Sequence, residues 1–312
     1  MITYPTISVL TITYGQEQYI KQTLDGVLEQ NYPGEIEFLI VNDNSPDSTN
    51  DIIENYLSNK VIPENFNVKY TNHKINKGMM PNFIWALRQA TGSYIAICEG
   101  DDYWIDKSKL SKQIDFFKKN PNCVFHFTAA KTLTNDGALG HYYKHADFKN
   151  GIINKRNFLQ NMGGDYCTAT AIFDKKVVDP LPPYILNCIV GDFPLGLSAL
   201  SQGEIGYSED VTTVYRLNSV GSWSSKQKQD QLLKKIDNLL ATMSDFDDFT
   251  NHKFSNLVRF YNKEYKYRLI YRRILQSSTS DAIKLTLENL SFDFKKTYQM
   301  FKTLMWKFLK TK

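Results

Sequence analysis

The chain has 312 residues, 42% of them hydrophobic and 22% charged, with 37 Lys and Arg against 33 Asp and Glu for a net charge of +4. That length and apolar content suffice for a sizeable core and exclude a disordered or low-complexity chain. The small positive balance makes no case for nucleic acid, and no apolar run reaches the length of a membrane span.

From residue 6 to 133 the sequence alternates β-rich runs with helical patterns. The run TISVLTIT (6–13) predicts a first strand, and Tyr19, Ile20, Leu24, Val27 and Leu28 follow at helical spacing. A second strand, IEFLIVN (36–42), leads into DNSPDSTNDIIENYL, where Ser45, Asp47 and Ser48 are expected to cap a helix carrying Ile52, Ile53 and Leu57. A third strand, NVKYTN (67–72), precedes a helix near 80–90, and a fourth, SYIAICE (93–99), precedes one near 107–119. Repeated β-α units imply a mainly parallel sheet with helices on both faces, and ligands of such sheets gather at the carboxyl ends of the strands. The four cysteines, Cys98, Cys123, Cys167 and Cys188, form no CxxC pair and read as reduced thiols. With no basic region of a signal peptide at the N-terminus, the expected location is the cytoplasm.

The residues expected at those strand ends are Thr13, Tyr14 and Gly15 after the first, Asn42, Asp43, Asn44 and Ser45 after the second, and Glu99, Asp101 and Asp102 after the fourth. Three carboxylates within four positions repel one another where water is scarce, so a cation is expected among them. A divalent ion held by hard oxygen ligands answers that need and would neutralise a diphosphate. An aspartate such as Asp43 can accept the imide N–H of a uracil while the ring of Tyr14 stacks on it. His141 and His145, four apart in HYYKH, have no carboxylate or cysteine partner nearby; the flanking NDGALG reads as a hairpin, and the pair reads as surface residues and not metal ligands.

Five segments in this order resemble a family 2 glycosyltransferase of the GT-A fold over roughly residues 5–225: SVLTITYGQEQYIKQTLDGVLEQNYP, EFLIVNDNSPDST, the NKG at 76–78, ATGSYIAICEGDDYWIDKSKLSKQ, and GDFPLGLSALSQGEIGYSEDVTTVYRLNSVGSW at 191–223. The resemblance implies transfer of a sugar, commonly from a UDP-sugar, with inversion and with Mg or Mn. It places Thr13, Tyr14, Asp43, Gly78, Glu99 and Gly100 on the nucleotide side. Asp101 falls on the metal-binding aspartate of the DXD motif, here an ExD, so Glu99 is a second ligand or touches the ribose or metal-bound water. Asp192 in IVGDFPLG resembles the catalytic base that opens a helix, with a plain helix cap as its competitor. Asp102, Trp104, Arg216 and Trp223 are assigned to the sugar and acceptor pocket, where aromatic faces meet apolar sugar faces, with core packing as the alternative for the two tryptophans. Two departures stand out: Asn42 replaces the first of the paired aspartates often seen there, and Asn218 stands where relatives often carry a histidine.

The implied organisation is a GT-A domain over 1–223, with a nucleotide half to about residue 105 and an acceptor half from 106, then a helical region over 224–312. That last region carries long helical patterns rich in Lys, Arg and Tyr. Its end, FKKTYQMFKTLMWKFLKTK, has six lysines and no acid after Phe294. Such a helix either lies on an anionic membrane surface or packs its apolar side on the protein. The sequence expectation is an inverting, non-processive glycosyltransferase acting on a glycan or lipid-linked acceptor. A sugar nucleotidyltransferase and a non-catalytic nucleotide- or carbohydrate-binding module are the alternatives. The former lacks support from TYGQEQY, which has one glycine and no basic residue.

Overall fold

A computed structural model describes residues 4–134, 136–140, 148–160, 166–219, 229–276, 279–288 and 294–310. The chain divides into two compact units, Met1–Gln227 and Lys228–Lys312.

The first unit begins with four β-α repeats: β1 (Ile7–Thr13), α1 (Ile20–Leu28), β2 (Ile36–Asn42), α2 (Thr49–Asn59), β3 (Phe66–Asn72), α3 (Met79–Gln89), β4 (Tyr94–Ile97), β5 (Tyr103–Trp104) and α4 (Lys109–Lys119). It continues with β6 (Cys123–Leu133), β7 (Phe148–Lys149), β8 (Ile152–Ile153), α5 (Lys155–Gln160), β9 (Ile172–Asp174), α6 (Pro183–Asn187), α7 (Asp192–Gln202) and β10 (Glu204–Arg216). Among the described residues these strands form one sheet in the order β3-β2-β1-β4-β9-β6-β10-β8-β7, with β5 pairing β10. The first four strands are parallel, as expected. Beyond them β9 runs antiparallel between β4 and β6, so the full sheet is mixed.

Local chemistry explains the repeats. Every residue of β2 and nearly all of β1 are buried, which is why both read as unbroken apolar runs and not as alternation. Helix α1 turns Ile20, Leu24, Val27 and Leu28 onto the sheet. The start of α2 is set by Asp47, whose carboxylate accepts Thr49 N at 3.1 Å and Glu17 N at 3.1 Å, and not by Ser48, whose side chain makes no cap bond. Ser45 is used differently: its hydroxyl accepts Gly15 N at 3.0 Å and donates to Asn42 at 2.6 Å, tying the exits of β1 and β2 together. The hairpin expected at NDGALG forms around Gly137, with Gly140 N reaching Thr132 O at 2.7 Å. His141 and His145 lie outside the described residues.

The second unit is helical: α8 (Gln229–Phe249), α9 (Ser255–Gln276), α10 (Thr279–Glu288) and α11 (Phe294–Lys310). The turn after α8 is closed by Asp247, which accepts the Ser255 hydroxyl at 2.9 Å. Helix α11 meets α9 through Tyr267, whose hydroxyl donates to Gln299 at 3.1 Å. Among the described residues no helix is long and apolar enough to cross a membrane.

Candidate active site

Because β1, β2 and β4 are parallel neighbours, their carboxyl ends lie side by side, and the chain past each end is stitched to the next. Asp43 N donates to Thr13 O at 2.9 Å and Gly100 N donates to Ile12 O at 3.0 Å. The loop 99–102 therefore lies directly over the end of β1. Gly100 is required there: a Cβ would meet Thr13 Oγ1 at 2.7 Å and Thr13 Cβ at 2.8 Å, and would strike Gln16 Oε1. Thr23 holds the same loop from α1, donating to Asp102 O at 2.6 Å.

The three carboxylates of that loop have three different environments. Glu99 is partly buried, and its Oε2 is enclosed with no hydrogen-bond partner. Burial first, then the charges of Asp101 and Asp192, raise its pKa to about 8, against a hydrogen bond from Thr168. Asp101 is also raised by burial, opposed by the Ser219 hydroxyl that donates to its Oδ2 at 2.5 Å and by the nearby Arg216 charge. Asp102 is 1% exposed; its carboxylate accepts Arg216 N at 2.8 Å and faces Cys167 Sγ at 3.9 Å. Burial and the charges of Asp101 and Glu99 raise it well above the usual carboxylate range.

Arg216, at the end of β10, is brought to this loop because β10 pairs with β5, which begins at the residue after Asp102, with Val214 opposite Tyr103. Its guanidinium donates to Asp101 O and to Gln22 Oε1, and lies 4.7 Å from the ring centres of both Tyr19 and Tyr103. It acts as a clamp that shapes the loop. Ser219, three residues on, then reaches Asp101 from beyond Asn218, whose φ of 58° turns the chain.

Asp192 opens α7 as expected, but it is the first helical residue and does not cap in the usual manner: Oδ1 accepts the next N–H, Phe193 N, at 2.7 Å. Tyr166 donates to the Asp192 carbonyl at 2.6 Å, and Gly191 lies against the Phe83 ring of α3. Its charge is felt at Glu99, where it adds to the burial that raises that carboxyl.

Most of the other residues singled out in the sequence have defined places in the structure. Asp43 is 2% exposed and pins the NKG loop, accepting Lys77 N on Oδ1 and Gly78 N on Oδ2, both at 2.8 Å. Gly78 acts through its backbone, with φ of 89° at the start of α3. Asn42 fits where an aspartate is common because it both donates to Tyr70, at 3.2 Å, and accepts from Ser45 N, at 3.0 Å. A carboxylate could not do the former. Trp104 does not line a sugar pocket: it is 3% exposed in the core, with its indole N–H on Ala169 O at 2.7 Å. Asp102 is likewise a buried latch to β10. Tyr14 is half-buried at the exit of β1, and Trp223 lies outside the described residues. Sequence reasoning missed Gln16, Tyr19, Gln22, Thr168 and Ser219; only Gln16 and Tyr19 carried a signal, their place just past the β1 exit.

The site fits a divalent cation. Among the described residues no group of three or more His, Cys, Asp or Glu side chains gathers to hold one alone. A cation that shares its shell with a diphosphate needs only one or two carboxylates. The enclosed bare oxygen of Glu99 beside Asp101 supplies them, and positive charge there would offset the burial that raises both groups and the repulsion that adds to it at Glu99.

Residues 8–181 match the family model for glycosyl transferase family 2. The chain belongs to that family. It is 30% identical over 224 residues to an uncharacterized protein of Mycobacterium tuberculosis, an alignment covering 70% of this chain and 61% of that protein, so it spans under two thirds of such relatives. It is 28% identical over 242 residues to Escherichia coli WfaP, named a UDP-Glc:alpha-D-GlcNAc-diphosphoundecaprenol beta-1,3-glucosyltransferase, covering 74% of this chain and 86% of WfaP. Residues 1–349 of Staphylococcus aureus TarS, solved with UDP-GlcNAc, superpose with a TM-score of 0.61 at 17% identity, over 98% of this chain and 92% of that one. The fold of the chain is thus GT-A.

Proposed function

We propose that this family 2 member is an inverting glycosyltransferase. It moves a sugar from a nucleotide donor, a UDP-sugar, to a hydroxyl of a glycan or lipid-linked glycan in surface polysaccharide synthesis. The observation that carries the reading is the pair of buried carboxyls, Glu99 and Asp101, past the end of β4 and over β1, with the charge of Asp192, the first residue of α7, felt at Glu99. The names of WfaP and TarS's bound ligand support the donor and acceptor classes.

Asp43 still has a free lone pair on each carboxylate oxygen, so it can accept a uracil imide while keeping the NKG loop in place, and Tyr14 is placed for stacking. Glu99 and Asp101 would hold Mg or Mn together with the donor diphosphate, and the ion supplies positive charge against that leaving group. Arg216 and Ser219 keep the Asp101 end of the loop fixed. Asp192 takes the proton from the acceptor hydroxyl as it attacks the anomeric carbon, and the helix start favours its ionised form.

The test is a panel of UDP-, GDP- and ADP-sugars with wild type and Asp192→Asn, read as transfer rate, UDP affinity and melting temperature on one preparation. Expected is retained UDP binding and stability with transfer lowered by roughly 10²–10⁴-fold. Near-normal transfer by Asp192→Asn would make Asp192 a structural residue. UDP and metal binding without turnover of any donor would make the chain a binding module.

A further inference from the structure

Helix α11 carries apolar side chains on two faces, one buried and one substantially exposed. Met300 and Leu304 are buried, 1% and 8% exposed, with Thr303 between them. This is the stripe that packs within the helical unit, where α11 meets α9 and α10. Packing of an ordinary amphipathic helix would end there, with polar residues on the other side. Instead Tyr298, Phe301, Met305 and Trp306 are 61%, 41%, 60% and 50% exposed. Spaced three, four and one residues apart, the four make a continuous outer stripe along about two turns. Helix α10, packed against α11, adds Ile283 and Leu287, 36% and 56% exposed. So many large apolar side chains gathered on one small unit mark a contact surface.

The charge pattern selects the occupant. Five of the seventeen residues of α11 are lysines, Lys302 exposed within the stripe among them, and none from Phe294 to Lys312 is acidic. Interfaces between proteins are depleted in lysine. Exposed aromatic residues on a helix rich in lysine and free of acid are instead the composition of a helix lying in the headgroup region of an anionic bilayer. We infer that the outer face of α11 docks this protein on an anionic lipid surface, with Phe301, Met305 and Trp306 entering the acyl boundary and Lys302 meeting a lipid phosphate. The sequence left membrane docking and internal packing as alternatives; the structure assigns them to opposite sides of one helix.

Co-sedimentation of the full chain with phosphatidylglycerol/phosphatidylcholine vesicles and with phosphatidylcholine alone tests this, without nucleotide, so that it stands or falls apart from the catalytic reading. Expected is strong partitioning to the anionic vesicles only, weakening as salt rises. Lys302→Ala should lower partitioning about fivefold, the equivalent of about 1 kcal/mol per surface lysine. Phe301→Ser/Met305→Ser/Trp306→Ser should abolish it with helical content retained in circular dichroism, since none of the three side chains belongs to the buried stripe. Brominated lipid should quench tryptophan emission of wild type more than of Trp306→Phe, a comparison that needs no disruptive variant. Wild type left in the supernatant, equal quenching of the two proteins, or a triple variant that binds as well would overturn the inference. So would light scattering showing a wild-type oligomer that the triple variant dissolves, because the face would then belong to a second copy.

Discussion

Glu99→Gln probes the site without any substrate. Glutamine has nearly the shape of a protonated glutamate, and the folded metal-free protein holds Glu99 protonated up to about pH 8 against an ordinary value of 4.5. A carboxyl whose folded pKa is raised binds more protons folded than unfolded between those two values. Stability is therefore full below about pH 4.5 and falls as pH rises through the window. At pH 7 the unfolded chain has gained from ionising over about 2.5 pH units, and at about 1.36 kcal/mol per unit the wild type is handicapped by at most about 3 kcal/mol. Glu99→Gln escapes that handicap. In EDTA it should melt higher than wild type at pH 7 by up to about 6–12 °C, taking about 2–4 °C per kcal/mol for a unit of this size. The two curves should converge towards pH 5. Scanning calorimetry of both proteins at pH 5, 6, 7 and 8 measures the gap. A gap that is absent or reversed at pH 7, or that does not shrink as pH falls, would show that Glu99 is not an uncompensated buried acid.

Asp101→Asn should lower transfer at least about a hundredfold, and EDTA should do the same to wild type, because both would loosen or remove the cation that neutralises the leaving diphosphate; a steady-state assay with saturating donor checks it, and full activity in either case contradicts the metal assignment. Gly100→Ala should lose about 1–3 kcal/mol of stability from the Thr13 and Gln16 clash, seen as a lower denaturation midpoint, and UDP affinity measured by calorimetry should fall with it.

The four β-α repeats were legible because each strand is a short buried apolar run and each helix carries a 3.6-residue stripe; the expected and observed strand ends agree to within two residues at Thr13, Asn42, Asn72 and Ile97. The acidic loop could be placed over the sheet for the same reason. The function of each acid in it could not, since that depends on what the far end of the chain delivers. Asp102 is taken out of the cleft by Arg216, and Asp101 is held by Ser219, residues more than a hundred positions away that only the β5–β10 pairing brings near. Trp104 read as a sugar platform because an aromatic after an acidic loop looks the same on the page whether it faces a ligand or the core.

Glu37 shows what distinguishes a functional buried acid from a structural one, and why sequence alone does not. It sits within β2, is 3% exposed, and has no acidic neighbours in the sequence except Glu35. Burial alone would raise its pKa, but Lys69 at 2.8 Å, Ser8 at 2.6 Å, and the Thr91 N–H and hydroxyl at 2.8 and 2.9 Å together outweigh burial and lower it. Both oxygens are filled, so Glu37 locks β1, β2, β3 and the turn before β4 at the end of the sheet away from the cleft. Glu99 lies on the same layer of strands with one oxygen bare and with Asp101 and Asp192 as neighbours, and its pKa moves the other way. A fold that supplies four donors to one buried carboxylate makes that one structural, and one left against two like charges is the candidate for binding chemistry. The difference lies in the donors each strand end meets across the sheet, and those belong to the fold's pairing, which no local stretch of the sequence encodes.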